Sequence, residues 1–156
     1  MKPSAKDYVS EFLTYLSKER RYAGNTVLNY EIDLRSLSEF LSADFKGADR
    51  LQIRSWLRTL HEKSLSKRTI GRKLASARSF YKWMLRRKYI DASPVMHLTN
   101  PKVGRKLPSI MSEEQISKLL GFQTDTLIDF RDKAILEVLY SSGCRVSELV
   151  GLNIGD

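Results

Sequence analysis

Arg145 and Glu148 are the residues whose types and spacing best support chemistry. The pattern of apolar residues predicts that one helix ends at Gly143 and that a second begins directly after it. Arg145 is expected in the first turn of the second helix, where free backbone N–H groups and the helix dipole attract anions. Its guanidinium would suit a phosphate, and Glu148 lies three residues on, on the same side, and can hold it. An ordinary surface ion pair would use the same spacing.

A longer motif surrounds this pair. The sequence YSSGCRVSEL at residues 140–149 resembles the first catalytic-arginine motif of the tyrosine recombinases, Tyr-x-x-Gly-x-Arg-x-Ser-Glu-Leu. The flanking Arg131-Asp132 and residues 152–156 also match that motif's surroundings. The similarity is strongest to the Xer-type chromosome-dimer resolvases.

The resemblance implies a reaction on DNA. These enzymes break and rejoin strands through a covalent phosphotyrosine link, without a metal or a nucleotide cofactor. Negative charge builds on the scissile phosphate during attack, and arginines that neutralise it there contribute most to the rate. Arg145 matches the first of the family's two arginines. Glu148 matches the acidic position behind it, in a supporting role.

The same resemblance places other catalytic groups beyond Asp156. These are a lysine, a His-x-x-Arg segment, a late His or Trp and the tyrosine nucleophile. Tyr140 is the alternative nucleophile, but it lies on the apolar side of its helix and is interpreted as core packing. The chain is therefore expected to bind DNA and to be inactive in strand cleavage alone.

The net charge of +9 is concentrated in one block. Residues 46–106 carry seventeen basic and three acidic side chains, whereas the segments on either side are slightly acidic. Such asymmetry indicates a polyanionic partner, either nucleic acid or a membrane surface. No apolar run is long enough to span a bilayer, and the single cysteine, Cys144, fits a reducing cytoplasm. His61 and His97 are isolated, so no metal site is expected.

The spacing of apolar residues predicts an all-α protein that begins with four helices. Ser4 and Asp49 are candidate caps for the first and third of these. The fourth runs from Ser66 to about Lys88. Its predicted inward residues are Ile70, Leu74, Ala77, Tyr81 and Met84. Its predicted opposite face holds Arg68, Arg72, Ala75, Ser76, Ser79, Lys82 and Arg86.

The charge pattern on this fourth helix favours a DNA-binding face over an ordinary solvent-exposed face. A solvated face usually mixes charges of both signs, but no acid occurs between Lys63 and Asp91. A membrane-surface helix fits less well, because the apolar side is a core stripe shared with the other helices. The predicted DNA contacts are Thr26, Asn29, Lys67, Arg68, Arg72, Lys73, Ser79, Lys82, Arg86, Lys102 and Arg105.

Three segments follow from this pattern. Residues 1–90 resemble the family's core-binding domain, a four-helix SAM-like unit. Residues 91–108 are basic, contain three prolines and resemble its interdomain linker. Residues 109–156 resemble the start of its catalytic domain. Capping boxes are predicted here at Ser112 with Gln115 and at Thr126 with Asp129.

Two functions of different classes remain open. The first is the N-terminal portion of a Xer-like recombinase that acts in chromosome dimer resolution and partition, or of a mobile-element integrase. The second is a stand-alone DNA-binding competitor or regulator. An unrelated helical repressor fits poorly, because it leaves Arg145 unexplained. The implied partners are double-stranded DNA and, by resemblance, other recombinase protomers in a tetrameric synapse.

Overall fold

The structure, a computed structural model, describes residues 5–101, 104 and 110–153. All regular secondary structure in these residues is helical, which confirms the predicted all-α class. The chain divides into two compact units, Met1–Arg105 and Lys106–Asp156. The first contains α1 (Ala5–Thr14), a π-helical turn (Tyr15–Glu19), α2 (Gly24–Phe40), α3 (Arg50–Glu62) and α4 (Lys67–Arg86). The second contains α5 (Glu113–Leu120), α6 (Leu127–Ser142) and α7 (Val146–Val150).

A single hydrophobic core joins the helices of the first unit. Its fully buried members include Phe12, Leu34, Leu37, Ile53, Trp56, Leu74 and Tyr81, drawn from α1 to α4. The ring of Phe12 lies 5.4 Å from the rings of both Phe80 and Trp83. Each large apolar side chain contributes about 1.5–3 kcal/mol by leaving water. The described part of the chain contains no helix long and apolar enough to cross a bilayer.

Helix α3 starts as its sequence predicts. The Asp49 side chain accepts from the backbone N–H of Gln52 at 2.7 Å, and the Gln52 side chain accepts from the Asp49 N–H at 2.9 Å. The predicted cap is confirmed as a full capping box. The predicted cap at Ser4 lies outside the described residues.

Helix α4 is buried over a wider arc than predicted. All of its predicted inward residues are buried, and so are Phe80 and Trp83. Lys73 and Ser76 are buried as well. The placement of Ser76 on the exposed face was therefore wrong, because α4 packs against both α2 and α3 rather than on one side only.

The segment that follows α4 begins by packing on the first unit. Val95 and Leu98 belong to its core. Arg78 in α4 donates to the Asn100 side chain at 3.0 Å and also to the Leu98 carbonyl. The first part of the predicted linker is thus attached to the four helices, and residues 102–103 and 105–109 lie outside the described chain.

In the second unit both predicted capping boxes are confirmed. Ser112 and Gln115 exchange hydrogen bonds of 2.9 and 3.3 Å at the start of α5. Thr126 and Asp129 do the same at the start of α6, at 2.8 and 3.3 Å. Helix α6 ends at Gly143, whose φ of 64° is the left-handed conformation expected there.

Large apolar side chains of the second unit are exposed. No residue of α5, α6 or α7 is buried, and Leu127 and Val150 are 88% and 79% exposed. Tyr140 is 63% exposed. The interpretation of Tyr140 as core packing was therefore wrong, since no element within the described residues buries this side of α6.

Candidate nucleic-acid interface

The exposed cations of α4 form what we call the basic face. Its members are Lys67, Arg68, Arg72, Lys82 and Arg86. No acidic residue occurs in this helix. The side chain of Ser66 caps α4 by accepting from the Thr69 N–H at 3.1 Å, so the helix begins at Lys67 with its positive dipole end beside two cations.

A buried carboxylate lies behind the basic face. Asp33 of α2 is 1% exposed, and its Oδ2 accepts from Arg72 Nη1 at 2.6 Å and from Ser76 Oγ at 2.8 Å. Lys73 Nζ lies 3.3 Å from Asp33 Oδ1. The Lys73 contact is an ion pair without the alignment of a hydrogen bond. Two cations and one hydroxyl thus compensate the desolvation of one charge.

Contacts with Asp33 leave one predicted DNA-binding residue of α4 available to DNA and bury another. Lys73 is 9% exposed at its side chain and paired inside the fold, so it has little surface to offer a phosphate. Arg72 keeps 44% of its side chain exposed while Asp33 holds one of its nitrogens. Arg72 therefore fits a DNA contact, with the buried Asp33 carboxylate holding its guanidinium in position.

Sequence reasoning missed Asp33, although a signal was present. Asp33 comes three residues after Tyr30 and four before Leu37, a spacing that puts it on the same face of α2 as these apolar residues. A carboxylate at such a position must be buried with partners or force the helix to turn. Lys73, at a core-facing position of α4, is the matching signal.

Ser79, Lys82 and Arg86 lie together at the other end of α4. They line one side of a small cavity whose opposite side is formed by residues around the π-helical turn. Ser79 is half-buried, whereas Lys82 and Arg86 are exposed.

The other predicted contacts are scattered. Thr26 and Asn29 are exposed near the start of α2, and the Asn29 amide donates to the Asn25 carbonyl at 2.8 Å. Lys102 and Arg105 lie outside the described residues.

In the second unit, Arg145 and Glu148 are brought together. Arg145 is the N-cap of α7, one position before the predicted first turn. Glu148 accepts from the Arg145 backbone N–H at 2.8 Å and from its Nη1 at 2.9 Å. The backbone N–H of Arg145, followed by its guanidinium, lowers the pKa of the Glu148 carboxyl. The arginine side chain stays 82% exposed, so the guanidinium is oriented yet open to an anion.

The remaining polar residues give less support for a functional site. Cys144 is a half-buried free thiol. Within the residues that the structure describes, no three metal-ligating side chains come together.

Comparison with known proteins gives two family matches. Residues 9–88 match the model of the phage integrase N-terminal SAM-like domain, and residues 109–156 match that of the phage integrase family. The chain is 36% identical over 154 residues to tyrosine recombinase XerC of Halalkalibacterium halodurans, covering 96% of this chain and 51% of that protein. It is 35% identical to tyrosine recombinase XerD of Oceanobacillus iheyensis, covering 95% of this chain and 52% of that protein.

A solved structure shares the fold. The integrase from mycobacterium phage Brujita superposes with a TM-score of 0.58 at 21% identity, over 90% of this chain and 46% of that one. The chain thus spans about half the length of the proteins it resembles. One family model alone covers just over half of the chain, and the helical order agrees with it. The chain belongs to the phage integrase family of tyrosine recombinases.

Proposed function

We propose that this chain binds duplex DNA as the N-terminal portion of a Xer-like site-specific recombinase. The observation that carries the proposal is the basic face of α4, where five exposed cations occur without one acid. Phosphate contacts from such a face give affinity that does not depend on sequence. The exposed Thr26 of α2 is proposed as a further contact. The chain would act in the cytoplasm, on chromosomal recombination sites, together with other recombinase protomers.

The second unit supplies one catalytic group in this proposal. Arg145 would neutralise the scissile phosphate, because its guanidinium is exposed and Glu148 holds only one of its terminal nitrogens. Glu148 acts through Arg145 as a positioning residue. The attacking tyrosine is not assigned to any residue of this chain.

DNA binding is tested by titrating a fluorescent duplex with the 156-residue chain at several salt concentrations. With roughly six phosphate contacts, log affinity should fall with log salt at a slope near −5. Replacing Arg68, Lys82 and Arg86 with Ala should flatten that slope by about 2 to 3. Arg72 is left in place, because its loss would also remove a partner of the buried Asp33.

A matched triple variant controls for net charge. Arg50, Arg54 and Arg58 are exposed on α3, and replacing them with Ala removes the same charge from the same unit. The proposal expects a clearly smaller effect on the slope. Equal effects would mean that net charge and not the basic face binds DNA, and affinity insensitive to salt would end the proposal.

The chemistry is tested separately on a nicked duplex that carries a recombination site. We expect no covalent protein–DNA adduct after denaturation. An adduct linked through tyrosine would show that this chain holds its own nucleophile, with the exposed Tyr140 the first residue to examine.

A further inference from the structure

An unusual turn connects α1 to α2. The helix widens into a π-helical turn at Tyr15–Glu19, closed by a hydrogen bond of 3.0 Å from the Arg20 N–H to the Tyr15 carbonyl. Arg21 then adopts a left-handed φ of 51°, which is costly for a residue that is not glycine. π-Turns are rare and occur often at functional sites. Here the turn presents Arg20 and Tyr22 to one cavity.

The cavity has the size and charge for one phosphate group. It measures about 140 Å³ and lies between the π-helical turn and α4. Three cations line it, Arg20, Lys82 and Arg86, and no carboxylate does. Its hydroxyl residues are Tyr15, Tyr22 and Ser79. At about 30 Å³ per water, this volume equals roughly four or five waters, which is room for one tetrahedral oxyanion.

A buried donor in the cavity wall lacks an acceptor. Trp83 lines the cavity and is 2% exposed, and no group in the described chain accepts from its Nε1–H. The Nε1 atom itself is sealed from solvent, so an anion in the cavity would shift the indole signal through the charge that it brings beside the Trp83 ring. Trp56 Nε1 also lacks an acceptor among the described residues, but Trp56 does not line this cavity.

An ion pair beside the cavity joins its two sides. Glu19, at the end of the π-helical turn, pairs with Arg87 at the end of α4 at 2.8 Å and so ties the two sides together. The Arg20 guanidinium lies 5.9 Å from the centre of the Tyr22 ring. Among the described residues, no carboxylate forms an ion pair with Arg20, Lys82 or Arg86. Their charge is therefore available to an anion.

We propose that this cavity, the phosphate pocket, binds a single phosphate of the DNA backbone, an inference that rests on the DNA binding proposed above. Lys82 and Arg86 belong to both the pocket and the basic face, so a duplex on that face passes the pocket's mouth. Arg20 extends the contact from α4 to the π-helical turn. A free phosphate ion has the same chemistry, and the test separates the two sources.

The test follows the indole N–H signals of Trp83 and Trp56 by NMR in the 156-residue chain. The probes are a short DNA duplex and, separately, inorganic phosphate. The Trp83 signal should shift with the duplex at the concentrations that saturate binding, and Trp56 should stay in place as the internal control. Arg20→Ala should abolish the Trp83 shift, weaken duplex binding by about tenfold and reduce the salt slope by about 1.

Lys18→Ala is the matched control. Lys18 is an exposed cation in the same π-helical turn and does not line the pocket, so its loss should change neither the Trp83 shift nor the slope. Duplex binding with an unmoved Trp83 signal would overturn the pocket and leave the proposed function intact. A Trp83 shift with inorganic phosphate but not with duplex would also overturn it, as a site for free anions only. A chain that binds no duplex at all would refute the proposed function itself.

Discussion

At the scale of single residues, Asp33 is the group on which the first unit most depends. It is 1% exposed and faces Lys73, Arg72 and the Ser76 hydroxyl. Buried ion pairs gain little over apolar packing, yet removing one partner leaves the other charge without compensation. The cluster joins α2 to α4 and holds Arg72 at the surface. Its loss should therefore be visible in stability and then in DNA binding.

We expect Asp33→Asn to destabilise the first unit by about 3–5 kcal/mol. Urea unfolding followed by tryptophan fluorescence measures it, because Trp56 and Trp83 both lie in this unit. Glu31→Gln is the control. It breaks the exposed Glu31–Arg35 pair in the same helix and should cost about 0–1 kcal/mol. Equal costs for the two variants would show that the Asp33 cluster is no more than a surface pair.

The ionisation of Glu148 makes the stability of the second unit depend on pH, in a direction set by its lowered pKa. Its pKa is lowered in the folded chain, so the unfolded state takes up a proton first as the pH falls. The Arg145–Glu148 contact is thus fully formed at neutral pH and is lost only as the pH falls through the lowered pKa.

An NMR titration of the Glu148 carboxyl should give a midpoint below the ordinary value of about 4.3. Arg145→Ala removes the guanidinium but keeps the backbone N–H, which is the larger cause. The midpoint should then rise only part of the way. A midpoint at or above the ordinary value in the unchanged chain would contradict the observed contact.

At the scale of helices, the sequence predicted well wherever a local signal acts. The cap at Asp49, the capping boxes at Ser112 and Thr126 and the helix end at Gly143 each involve residues within one turn, and all were found as expected. Such signals depend on backbone N–H groups that the same few residues satisfy.

The π-helical turn could not be predicted in the same way. Its extra residue is accommodated because Leu16 is buried in the core and Glu19 pairs with Arg87, which is distant in sequence. The wide burial of α4 could not be predicted either. The spacing of its apolar residues indicates one buried stripe, but it does not show that a second helix packs on α4 and that Ser76 is buried. The phosphate pocket was missed for that reason, although Lys82 and Arg86 were both among the predicted contacts.

At the scale of the whole molecule, the two units differ in what holds them. Every buried apolar side chain of the described residues belongs to the first unit. The helices of the second unit have eight, sixteen and five residues, and none contains a buried side chain. Isolated helices shorter than about 12–15 residues are marginal in water, and most helical stability in proteins comes from packing, which α5, α6 and α7 lack.

We therefore expect amide hydrogens of α5, α6 and α7 to exchange much faster than those of α2, α3 and α4. Opening of the second unit should require far less free energy than unfolding of the first. Hydrogen exchange with mass spectrometry measures both units in one experiment, and repeating it at two protein concentrations tests for a second copy that covers the apolar face. Exchange that slows with concentration would show that such a copy buries Leu127 and Val150. Slow exchange across residues 130–150 in a demonstrated monomer, with no docking onto residues 1–90, would contradict the prediction, because the second unit would then be stable by itself.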